Sequence, residues 1–184
     1  MQPPSCASWQ TAGPEVAERL PETHHSAAVI HGGGGNGMAD SKQIARQSID
    51  AFNQGKLDDW MKAVAEDAEL VTPMAGTIKG REAIGGYVAQ MRETFADAHL
   101  DIHKMVAEGN TVVVEYTFTG SHRGPMRTPT GETIPPTNKT LTGPALDIAV
   151  TDDKGMLTSL HQYFDTARGL QQLGLMPAPA AARA

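Results

Sequence analysis

The chain has 184 residues, with 15 Lys and Arg against 21 Asp and Glu and a formal net charge of −6 at pH 7. That length suits one domain with its own core, and the acidic balance argues against nucleic acid, whose phosphates demand a basic face. The single cysteine, Cys6, excludes an intrachain disulfide; with neither a membrane-length apolar run nor a secretory-type start, the expectation is a cytoplasmic protein with no membrane partner.

Residues 1–39 mix Pro, Ser, Glu, His and Gly without apolar periodicity and end in His31-Gly32-Gly33-Gly34-Gly35-Asn36-Gly37. Such a segment buries too little to offset its ordering entropy and reads as a disordered tail, with Met38 directly after its glycine-rich run. Residues 40–176 form the expected domain and 177–184 a frayed C-terminal tail. Within the domain, Asp40 or Ser41 caps a helix carrying Ile44, Ala45, Ile49 and Phe52 at helical spacing, stopped by Gly55. Leu57–Ala68 reads as a second helix, Glu69–Thr72 as a short strand, and Gly80–Ala96 as a third helix with Ile84, Tyr87, Val88, Met91 and Phe95 on one stripe. Alternating segments follow at 98–107, 111–121 and 140–151, the first two joined tightly through Glu108-Gly109-Asn110. A strand over 156–164 closes a hairpin and runs into a terminal helix capped by Asp165. Helices first and antiparallel strands after is an α+β layout, a sheet curled over helices.

The hairpin carries the candidate chemistry. One face of its first strand reads Leu141, Gly143, Ala145, Asp147, Ala149; the other reads Thr142, Pro144, Leu146, Ile148, Val150, ordinary packing material. A carboxyl beside so little bulk has two readings, an acid inside a concave pocket or a solvated Asp on an outer face. In a pocket, desolvation would raise its pKa and make it a proton donor. Symmetric pairing about the turn brings Gln162 beside Asp147, where its amide would orient the acid or a ligand oxygen. Opposite parity turns His161 and Tyr163 to the other side. His122 ends a strongly β-forming run and opens a long loop, Arg123–Lys139, so it is either a proton carrier or a surface histidine. Trp60, Tyr87, Gly143, Ala145 and Phe164 complete the expected site as substrate contacts. His99, Asp101 and His103 share a strand face, but a surface role outweighs a metal there, and no metal ligand is assigned. The glycine run at 32–35 lacks the flanking strand and the Gly-Lys-Ser/Thr of a phosphate loop. No Gly-x-Ser-x-Gly elbow occurs.

Several stretches together resemble the SnoaL-like polyketide cyclases, an ester cyclase family of the nuclear-transport-factor-2-like superfamily. They are Ala51-Phe52-Asn53-Gln54-Gly55, Ile78-Lys79-Gly80-Arg81-Glu82-Ala83-Ile84, Gly120-Ser121-His122 with Ile134-Pro135-Pro136-Thr137-Asn138-Lys139, and Phe164-Asp165 with Leu170-Gln171-Gln172-Leu173-Gly174. Asn138 stands where this loop usually carries Gly. The resemblance implies a cone-shaped α+β fold, a curved antiparallel sheet wrapped over three N-terminal helices with a short C-terminal helix, and a homodimer. It also implies ring closure by an intramolecular aldol reaction without metal or cofactor. The cyclases use an Asp at the position of Gln162 and a His at that of Asp147, so their acid/base pair is not kept. Ketosteroid isomerases, more distant relatives, place a hydrogen-bonding acid where Asp147 stands, but their base aligns with Thr72 and their Tyr with about Ser48.

Three functions follow from these residues. The first is a cofactor-free enzyme of secondary metabolism acting on an apolar, oxygenated polyketide-, terpenoid- or steroid-like molecule through Asp147, by cyclisation, isomerisation or epoxide opening. The alternatives are a noncatalytic small-molecule-binding module, and a dimeric scaffold using the sheet's outer face.

Overall fold

The structure, a computed structural model, describes residues 41–128 and 131–177. The expected tail at 1–39, all but Pro177 of the expected tail at 177–184, and Asp40 as a cap, lie outside the described residues.

Helix α1 (Ser41–Asn53) ends where the sequence places its stop. Gly55 takes φ +71°, and the Gly55 and Lys56 N–H groups close back on the carbonyls of Phe52 and Ala51, a glycine-terminated Schellman end. Helix α2 (Leu57–Lys62) is much shorter than the spacing predicts. Trp60, Met61, Val64 and Ala65 do follow a helical period, yet from Val64 onward the backbone is strand β1 (Val64–Thr72). Long-range pairing decides this: Ala63 C=O accepts from Leu157 N–H at 2.7 Å and Val64 C=O from Arg81 Nε at 2.6 Å. Val64, Ala68, Leu70 and Thr72 then bury their side chains on one face. Tertiary context overrides local propensity here. A short strand β2 (Gly76–Lys79), absent from the sequence reading, pairs antiparallel with β1. Helix α3 (Arg81–Thr94) follows, with Ile84 and Val88 buried.

Strands β3 (His99–Glu108), β4 (Thr111–Ser121), β7 (Thr140–Thr151) and β8 (Leu157–Phe164) match the alternating segments. Between β4 and β7 the long loop forms a two-stranded ribbon of β5 (Met126–Arg127) and β6 (Thr133–Ile134). Helix α4 (Thr166–Leu173) begins with Asp165 Oδ1 accepting from Arg168 N–H at 2.9 Å, as a cap should. The main sheet runs β2-β1-β8-β7-β4-β3, antiparallel except that β1 lies parallel to β8. Phe52, Trp60, Leu70, Ile84, Val88 and Phe95 form the core between the helices and the sheet. Val112, Val114, Tyr116 and Ala145 extend it along β4 and β7. On β7, Ala145 and Asp147 point inward, whereas Leu146, Ile148 and Val150 are only half-buried. The face expected to be packing material is therefore the sheet's outer one, where Tyr163 is 51% and Val106 53% exposed.

The loop segment 134–139 and the ending 170–174, two of the resembling stretches, meet in space. A Cβ placed on Gly174 would strike Lys139 Nζ, so the ammonium lies over the end of α4, where helix carbonyls favour a cation. Asn138 has φ +57°, the one positive φ at a non-glycine among the described residues. Asn is among the few residues that tolerate this region, which accounts for its standing in place of Gly.

Candidate functional site

Register brings the polar groups together. In the β4–β7 ladder Val114 pairs with Asp147 and Tyr116 with Ala145, so Tyr116 stands diagonal to Asp147 on the same face. In the β7–β8 ladder Asp147 lies directly opposite Gln162. Tyr116 Oη donates to Asp147 Oδ1 at 3.0 Å, and the Gln162 amide is a second hydrogen-bond partner of the carboxyl. From α3, Tyr87 reaches the same region, its hydroxyl 3.4 Å from Thr72 Oγ1 on β1.

Asp147, Gln162, Tyr116 and Tyr87 line a cavity of about 230 Å³ whose walls are chiefly apolar. Asp147 is 9% exposed. Burial pushes its carboxyl up to about 7, against the pull of the hydrogen bonds from Tyr116 and Gln162. The acid is therefore substantially protonated at neutral pH. Burial, followed by the charge of Asp147 and the hydrogen bond to it, drives the Tyr116 phenol well above its ordinary value. Tyr87 is also raised, first by burial. Both phenols act only as neutral donors or acceptors.

Asp147, Gln162, Trp60, Tyr87, Gly143, Ala145 and Phe164 all line this one cavity. Of the two readings of Asp147, the concave pocket is the one the fold adopts. A Cβ on Gly143 would meet nothing within 4 Å, so the small residues of β7 do leave open space. His122 is not among the lining residues. It is fully buried instead, its ring 5.7 Å from that of Phe95, which does line the cavity. Its Nδ1 accepts from Thr137 N–H at 3.3 Å and stands 3.1 Å from Thr137 Oγ1. That assigns the neutral ring's proton to Nε2, which has no partner among the described residues. Burial holds its pKa below the usual histidine value. The loop chain doubles back over this residue: Asn138 N–H donates to His122 C=O, and His122 N–H to Lys139 C=O. The histidine thus anchors the loop, and neither a proton carrier at Asp147 nor a surface histidine is what the fold makes of it.

Tyr116 is the site residue that sequence reasoning missed. Val112, Val114, Tyr116 and Phe118 alternate on one face, which was visible, but its approach to Asp147 depends on register between strands some thirty residues apart. Among the described residues no group of three or more His, Cys, Asp or Glu side chains is placed to hold a metal ion. No described helix is long and apolar enough to cross a membrane.

Residues 45–159 match the family model of the SnoaL-like domain. A proposed SnoaL-like polyketide cyclase from Jannaschia sp. CCS1 superposes with a TM-score of 0.66 at 17% identity, covering 79% of this chain and 100% of that one. A proposed polyketide cyclase from Xanthomonas campestris pv. campestris gives 0.63 at 22% identity, over 72% and 96%. A hypothetical protein with a ketosteroid isomerase-like fold from Catenulispora acidiphila DSM 44928, solved with trimethylamine, gives 0.60 at 22% identity, over 72% and 93%. At such identities these likenesses speak to the fold. No curated protein matches the chain.

Proposed function

Because the chain belongs to the SnoaL-like domain family, we propose that it is a cofactor-independent enzyme of the cyclase or isomerase type in which Asp147 passes a proton to an oxygen of an apolar substrate. The observation that carries this reading is the buried Asp147 carboxyl, raised to about 7 in the wall of a chiefly apolar cavity. An acid with a pKa near the working pH combines a populated proton with a useful driving force for transfer.

The surroundings suit that role. Tyr116 occupies Oδ1, which leaves Oδ2 as the oxygen that carries the transferable proton. When negative charge develops on a substrate carbonyl or epoxide oxygen, the proton moves from Oδ2 to that oxygen. The carboxylate left behind keeps the hydrogen bonds of Tyr116 and Gln162, which were in place beforehand. A proton returned from the substrate carbon or from solvent restores the acid. Aldol-type ring closure, a double-bond shift and epoxide opening each develop charge on an oxygen that this transfer would neutralise. The apolar walls, with Trp60 and Phe164 among them, fit a polyketide-, terpenoid- or steroid-like skeleton and exclude competing water.

The experiment is product analysis with oxygenated polyketide, terpenoid and steroid substrates on the wild type and Asp147→Asn. Loss of turnover in a folded variant that still binds the ligand is the expected result. Unchanged turnover would remove Asp147 from the mechanism, and retention of every ligand without chemical change would favour the noncatalytic module.

A further inference from the structure

The cavity has the parts of a second kind of site, for a ligand whose charge is opposite to that of an ionised Asp147. All four phenylalanines of the chain, together with Trp60, Tyr87 and Tyr116, line it. Aromatic faces carry negative charge density and attract a cation within about 6 Å of the ring centre, most strongly where water is excluded. Asp147 lines the same cavity, in contact with Tyr116, and has no cationic partner among the described residues. The ion pairs among the described residues are Lys62–Asp59 and Lys79–Glu69, both at the surface. A buried carboxyl with no counter-charge stays neutral because ionising it alone is too costly. A buried pair becomes favourable when the remaining lone pairs are also hydrogen-bonded. Tyr116 and Gln162 already supply those hydrogen bonds. The part that the described residues do not provide is the cation.

We propose that this pocket binds lipophilic amines as ammonium ions, with Asp147 as the counter-charge and the surrounding aromatic rings as its walls. An amine that is already protonated in solution pairs with the carboxylate, and where Asp147 was protonated its proton is released to the buffer. An amine that enters as the free base takes the Asp147 proton onto its nitrogen, with no net exchange. Either route leaves an ammonium–carboxylate pair and an acid with no proton to give. An amine of this class is thus a competitive inhibitor of the proton transfer proposed above, although its binding does not depend on that reaction.

The two ligand classes need opposite charge states of one carboxyl, and pH separates them. A neutral oxygen acceptor binds best while Asp147 is protonated. An ammonium ion binds better as pH rises through the titration of Asp147, until the amine itself loses its proton. The other titratable groups lining the cavity are Tyr87 from α3, Tyr116 from β4, and Asp165 and Arg168 at the start of α4. The two phenols are held neutral by burial. Asp165 and Arg168 are exposed at the α4 end, where solvent screens them.

The test compares N,N-dimethylbenzylamine with its uncharged carbon isostere, isobutylbenzene, by calorimetric titration of the full chain from about pH 6 to pH 8.5. The expected result is an affinity for the amine roughly tenfold or more above that of the isostere at the alkaline end, shrinking as the pH falls. Asp147→Asn should lose this preference while still binding isobutylbenzene, which also shows that the variant is folded. In the infrared, the carboxylic-acid C=O band that Asp147→Asn removes should vanish when the amine binds to the wild type and persist with isobutylbenzene. An amine no tighter than the isostere at any pH, a preference that survives in Asp147→Asn, or an acid band that persists with the amine bound would each overturn the proposal. Product analysis on neutral substrates is read separately, so loss of the amine site leaves the catalytic reading standing, and the reverse also holds.

Discussion

Replacing Asp147 by Asn should change how stability depends on pH, in a direction fixed by the burial of the carboxyl. In the folded chain this acid titrates at about 7 rather than at 3.8. Between those values the folded state holds a proton that the unfolded chain has lost. The stabilisation from that proton is complete below the unfolded value and disappears as pH rises through the folded one. From about pH 5 to pH 8 the unfolded carboxyl is ionised throughout, and about two pH units of the linkage are crossed. At about 1.4 kcal/mol per pH unit, the wild type loses on the order of 3 kcal/mol over that range from this group. Asn is neutral everywhere and contributes no such slope. Urea denaturation of both proteins at the two pH values isolates the effect, because His122 and the surface groups are common to both and cancel. The wild type should lose on the order of 3 kcal/mol relative to the variant, which for a chain of this size corresponds to roughly 6–12 °C in the melting temperature. Parallel pH profiles would show that Asp147 titrates like an exposed carboxyl, and the argument from burial would fail.

Tyr116→Phe removes the donor that pulls the Asp147 pKa down, so the alkaline limb of the pH–rate profile should move upward at a stability cost of about 1 kcal/mol; an unmoved limb would count against the hydrogen bond. His122 has the opposite linkage, since its folded pKa is depressed by burial: stability falls as pH drops below the ordinary histidine value of about 6.5. His122→Gln should flatten that acid limb in denaturation curves, and a slope equal to that of the wild type would show that the ring titrates freely. Two glycines should behave in contrasting ways. A side chain at Gly124 would collide with the backbone carbonyl of Glu93, whereas one at Gly143 enters open space; Gly124→Ala should cost more than about 2 kcal/mol. Gly143→Val should leave melting within about 2 °C of the wild type while abolishing ligand binding.

What the sequence made legible was whatever depends on short-range pattern. The alternation of β7 put Asp147 among small residues, and the hairpin turn put Gln162 opposite it, so the centre of the site could be read locally. Tyr116 could not, because its meeting with Asp147 is set by the β4–β7 register. The misread boundary after Lys62 has a related cause. Val64 and Ala65 continue the helical spacing of Trp60 and Met61, while the pairing of β1 with β8 shifts register between Val64 and Glu69. That irregularity hides the period-two pattern that would have announced a strand. His122 drew notice as a residue type, but its burial comes from the returning segment around Thr137 and Asn138, more than a dozen residues downstream.

The parallel pairing of β1 with β8 also bears on how the chain reaches this structure. The β1–β2 hairpin joins the sheet only through β8, the last strand to be synthesised, with Val64 paired to Leu157 and Leu70 to Leu160. Loops this long must close before their contacts give any return, and such topologies fold slowly. On the ribosome, helix α1 can dock on β3 through Asn53 and Leu100 well before synthesis ends, but β1 has no strand beyond β2 to pair with until β8 has left the exit tunnel. Until then the edge of β1 that pairs with β8 stands open to other chains. The sheet is therefore completed late, and a ribosome that stalls before β8 would release a chain with an unpaired edge, prone to aggregate.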